Sequence, residues 1–198
     1  PAVRSGPSGD LLRGEALLKE VGEGARAALR RAAAAFAATG DTDGEVRALT
    51  RRLWLDAWGL DSASMREALA RLRVLAERGS ERARRSVGLS AAYVALITGD
   101  PEKALVTVTG CGALEDPVTA PLGAFVAAVA NLESGRPEEA ASIAADGLPA
   151  ATGRLRVGLA AIAFESRVMA GLPASSTMRQ WMEQLTATAN RYGVAENQ

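Results

Sequence analysis

The sequence predicts an all-α protein, and three observations support that fold class. Alanine, which has the highest helix propensity, makes up about a fifth of the 198 residues. No run of residues shows the apolar/polar alternation, bounded by turn residues, that predicts a β-strand. Glycine and proline recur together at a regular interval, in the order that ends one helix and begins the next.

These glycine and proline residues define an internal repeat. Gly99, Gly135 and Gly171 stand 36 residues apart, and each is followed two residues later by proline. The first two turns read Gly-x-Pro-Glu-(Lys/Glu)-Ala, over 99–104 and 135–140. Glycine adopts the left-handed conformation that closes a helix, whereas proline and glutamate suit the first turn of the next helix. Each repeat therefore predicts two helices joined by a short turn.

Helical periodicity extends to both sides of this repeat. Trp58-Gly59-Leu60-Asp61 resembles a further helix end, and Thr39-Gly40-Asp41 separates the two helices before it. The predicted helices span 10–21, 23–39, 43–58, 62–79, 81–98, 101–110, 118–134, 137–147, 153–171 and 174–192. We expect them to form one domain over 10–193, between a linker over 1–9 and a tail over 194–198.

Two-helix units with the turns at 99–104 and 135–140 resemble the tetratricopeptide repeat, which is about 34 residues long. The resemblance implies a right-handed α-α superhelix, a solenoid of about five antiparallel helix pairs. The large aromatic residue early in that family's first helix is absent, because Gly88, Ala124 and Ala160 occupy the matching positions.

The segment Ala35–Leu49, together with Trp58-Gly59, is similar to the helical-repeat region of actinobacterial LuxR-type ATP-binding transcriptional regulators. In that family such repeats accompany a nucleotide-binding module and a DNA-binding domain. The resemblance covers about residues 24–150. It implies a regulatory or sensor arm of a larger bacterial transcriptional regulator, and hence a role in signalling.

The composition excludes several kinds of chemistry. The chain has no histidine and a single cysteine, Cys111, so it lacks histidine general bases, nucleophile–histidine pairs and the usual zinc ligand sets. It also lacks a glycine-rich phosphate-binding loop. We therefore predict a protein that is not an enzyme, with no catalytic residues, no metal site and no cofactor.

Charge and hydropathy bear on the partners. Basic and acidic residues balance at 23 each, which argues against direct nucleic-acid binding, although the first half of the chain is the more basic and the second the more acidic. A lone cysteine forms no internal disulfide, which favours a reducing compartment. No apolar run approaches the ~20 residues that span a bilayer. We therefore predict a cytoplasmic location and no membrane partner.

The predicted partner is a protein or peptide, or another domain of the same chain. In an α-solenoid the first helix of each pair lines a concave face that binds such partners. Registered on the turn glycines, the candidate residues form an apolar floor with acidic residues toward one end: Leu89, Tyr93, Leu96, Phe125, Val129, Glu133, Glu165 and Met169. The alternative is that most of these side chains simply pack between helices.

Other interpretations stay open. A homodimer would use an end face near the last predicted helix, where Met178, Trp181 and Met182 stand. A small-molecule effector would instead occupy an apolar pocket between helices. Trp54 and Trp58 are four residues apart on one helical face, and we interpret them as core first and as an interface second.

Overall fold

The computed structural model describes residues 6–8, 10–11, 23–58, 61–172 and 183, with the backbone alone for Glu23, Trp58 and Arg154. The protein is all-α, as predicted, because this described part contains eight helices and no strand. The helices are α1 (Glu23–Thr39), α2 (Thr42–Trp58), α3 (Ser62–Ala76), α4 (Glu81–Ile97), α5 (Pro101–Gly110), α6 (Ala120–Glu133), α7 (Pro137–Gly147) and α8 (Gly153–Met169). None of these eight helices is long and apolar enough to cross a membrane.

Most helix bounds agree with the predicted ones. For α1, α5 and α7 they are the same, and the largest difference at a single helix end is in α3, which ends at Ala76 rather than at 79. There the amides of Arg78 and Gly79 both donate to the carbonyl of Leu75, so the chain tightens and leaves the helix. The helices predicted over 10–21 and 174–192 lie outside the described residues, except for 10–11 and 183.

Polar side chains fix where several helices begin. Asp61, Ser80 and Asp100 each accept a hydrogen bond from the backbone N–H three residues further on, at 3.0, 3.2 and 3.1 Å. Each bond satisfies a donor that a helix N-terminus leaves without an intrahelical partner.

The three predicted turn glycines end helices as expected. Gly99, Gly135 and Gly171 have φ values of 83°, 74° and 66°, in the left-handed region that favours glycine. After Gly135 and Gly171, the amide of the next residue donates to the carbonyl five residues back, at 2.9 Å in both turns. This is the closing hydrogen bond of a Schellman turn.

The chain divides into two compact units, residues 1–98 and 99–198. In the first unit, α2 packs against α1, α3 and α4, and α3 packs against α4. Its core includes four fully buried leucines from three helices, Leu29, Leu53, Leu55 and Leu72. The continuous domain predicted over 10–193 stays a prediction.

In the second unit, α7 packs against both α6 and α8, and α5 packs against α6. Gly147, the last residue of α7, has no room for a side chain, because an added Cβ would lie 2.6 Å from the Cβ of Ala124 and 3.3 Å from Cδ1 of Leu159. The end of α7 thus meets the first half of α6 and the first half of α8. Helices α6 and α8 therefore run in the same direction, with α7 antiparallel to both.

Candidate interaction surface

In the first unit, the predicted partner-binding residues on α4 are core residues. Leu89, Tyr93 and Leu96 are all buried, and Tyr93 is 6% exposed. The Tyr93 ring stacks on half-buried Trp54 of α2, with ring centroids 3.9 Å apart and planes 6° from parallel. These surroundings agree with the packing interpretation of both aromatic residues. A role of Leu89, Tyr93 and Leu96 in binding a partner stays a prediction.

In the second unit, three predicted residues share the least buried face of α6. Phe125, Val129 and Glu133 are spaced four apart, with Phe125 and Val129 half-buried and Glu133 exposed. The Phe125 ring faces α8, where a Cβ added to Gly158 would lie 3.0 Å from Cε2 of the ring. This close approach joins the predicted face of α6 to α8.

The two predicted residues of α8 both lie at its surface. Glu165 is exposed, and Met169 is 59% exposed although it is apolar. These two side chains stand beside a larger apolar row, which the sequence analysis did not single out.

That row runs along α8 and just beyond its end, and we name it the α8 stripe. It consists of four exposed side chains, Val157, Phe164, Val168 and Leu172, of which Val168 is 62% exposed. Because successive helical residues turn by about 100°, the first three lie within roughly 40° of one another around the helix axis. Val157, Phe164 and Val168 therefore lie on one side of α8, and Leu172 follows just beyond its end.

The opposite side of α8 forms part of the core. Leu159, Ala163 and Ser166 are buried, and they lie about 180° around the helix from the stripe. Both sides of α8 are apolar, but only one of them is covered by described residues. The sequence signal that identifies the stripe is the spacing of Val157, Phe164 and Val168 by seven and four residues within the helix predicted over 153–171.

The exposed charges of the second unit are mostly acidic. Among the described side chains from 99 to 172, the exposed acidic residues are Asp100, Glu102, Glu115, Glu133, Glu138, Glu139, Asp146 and Glu165. The exposed basic residues in the same range are Lys103 and Arg156. On α8 itself the charges are of both signs, since Arg156 and Glu165 are exposed and Arg167 is half-buried.

One of these acidic residues, Glu133, lies at a helix end where a negative charge is disfavoured. Glu133 is exposed in the last turn of α6, which contains no basic residue. A negative charge at a helix C-terminus is disfavoured by the helix dipole, at a cost of about 0.3–1 kcal/mol.

A polar network holds the beginning of α7. Arg136 donates to Oε1 of Glu102 at 2.9 Å and to Oδ1 of Asn131 at 2.8 Å, and the buried Asn131 side chain donates to the carbonyl of Ala127. The hydrogen bond from Arg136 lowers the pKa of the Glu102 carboxyl below its ordinary value. Glu102 thus has a structural partner of its own.

A second network lies in the first unit. The Asp56 carboxylate is 2% exposed and accepts hydrogen bonds from Arg26 and Arg52, at 3.2 and 3.3 Å. Burial raises the pKa of Asp56, against the effect of its two arginine partners. Because the Asp56 carboxylate of α2 accepts from Arg26 of α1 as well as from Arg52 of its own helix, we assign the cluster to packing of α1 on α2.

The described residues contain no group of three or more metal-ligating side chains. Cys111 is half-buried, and its Sγ lies 3.4 Å from the carbonyl of Val108. The predicted dimer residues Met178, Trp181 and Met182 lie outside the described part of the chain.

No protein-family model, no curated protein and no solved structure matches this chain. Its function is therefore inferred from its own residues and their geometry.

Proposed function

We propose that this chain is a non-catalytic protein–protein interaction module that binds its partner on the second unit. The observation that carries the proposal is the α8 stripe, a row of apolar side chains exposed along one helix. Contiguous exposed apolar surface in a folded domain commonly marks an interaction site. Full burial of a valine or phenylalanine side chain contributes about 1.5–3 kcal/mol, so a partner that covers the stripe gains substantial affinity.

The predicted residues Glu165 and Met169 adjoin the stripe and belong to the same proposed surface. The face of α6 with Phe125, Val129 and Glu133 continues it, since Phe125 lies against Gly158 of α8. The partner thus contacts two helices that run in parallel, which is how a helical repeat presents a peptide-binding face.

The wider architecture is part of the proposal. Left-handed glycines at 99, 135 and 171, each directly after a helix, support a tetratricopeptide-like superhelix. As the sequence resemblance implies, this superhelix would be the regulatory arm of a larger bacterial transcriptional regulator in the cytoplasm. The partner would then be another protein or another domain of that regulator.

Self-association is the second candidate. Val157, Ala161, Phe164 and Val168 are spaced by four, three and four residues, which is the spacing of a seam between two packed helices. A second copy of the chain is therefore able to cover the stripe through its own α8.

A displayed library of helical peptides tests the function. We expect the wild-type chain to enrich a family of peptides, and the Phe164→Ser/Val168→Ser double variant not to enrich them. Val106→Ser on α5 is the matched control, because Val106 is 71% exposed and outside the stripe. If no peptide is enriched, or if the double variant enriches the same peptides, the α8 stripe is not a binding surface.

A further inference from the structure

We draw no further inference here: the strongest candidate, the exposed apolar row on the outer side of α8, belongs to the surface already proposed for binding, and nothing among the described residues shows what covers it.

Discussion

The packing at Gly147 makes a quantitative prediction about the second unit. Gly147→Ala places a methyl group 2.6 Å from the Cβ of Ala124, far inside van der Waals contact. The Ala124 methyl is attached directly to the backbone, so α6 and α7 must separate to relieve the overlap. Overpacking of this kind lowers the free energy of unfolding by about 1–3 kcal/mol. Replacing a helical glycine with alanine raises it by about 0.5–1 kcal/mol. We expect a net loss of about 1–2 kcal/mol in the free energy of unfolding.

The matched control is Gly110→Ala, since Gly110 is likewise the last residue of its helix and has no atom within 4 Å of an added Cβ. This variant should be as stable as the wild-type chain or more stable, by up to about 1 kcal/mol. Urea denaturation followed by circular dichroism measures both variants. If Gly147→Ala unfolds at the same urea concentration as Gly110→Ala, the close packing of α7 on α6 described above is incorrect.

Three further substitutions test the first unit. Asp56→Asn leaves two arginines without their buried carboxylate and should cost about 2–3 kcal/mol in urea denaturation. Tyr93→Ala removes a buried ring stacked on Trp54, so we expect a loss of about 3 kcal/mol together with a change in tryptophan fluorescence. The hydrogen bond from Ser80 lowers the pKa of Asp43, so its stabilisation is present above the ordinary aspartate pKa and is lost as the pH falls through the lowered value. Thermal melts of Asp43→Asn between about pH 5 and pH 3 should therefore show a weaker pH dependence than those of the wild-type chain.

Local chemistry explains why the helix bounds were predictable. An Asp or Ser before a helix and a glycine after it act through hydrogen bonds within a few residues. The position of a helix end can therefore be predicted from the residues next to it. Asp100 and Gly135 illustrate both ends: the first caps α5 with its side chain, and the second closes α6 in a left-handed conformation. Tertiary contacts did not have to be known for either.

The orientation of each helix around its own axis was harder to predict. Tyr93 has the size and polarity of a binding-site aromatic residue, and only its contact with Trp54, 39 positions earlier, places it in the core. Helix α8 has apolar side chains on both of its sides. Its sequence alone therefore does not show whether the side with Leu159 or the side with Val168 is buried. Contacts with α6 and α7 determine which side of α8 is buried, and these contacts depend on residues far away in the sequence.

The same contacts determine which substitutions can report on binding. Tyr93→Ala and Phe125→Ala would test a concave surface poorly, because both rings pack against neighbouring helices and their loss perturbs the fold. Phe164 and Val168 are different, since they lie on the side of α8 opposite the buried Leu159 and Ser166. Serine at Val168, which is 62% exposed, removes mainly solvent-exposed apolar surface, whereas serine at Phe164, which is 36% exposed, also removes covered contacts. The double variant is therefore first compared with the wild-type chain in urea denaturation. A loss of binding in that variant, at unchanged stability, would therefore be attributable to the surface itself.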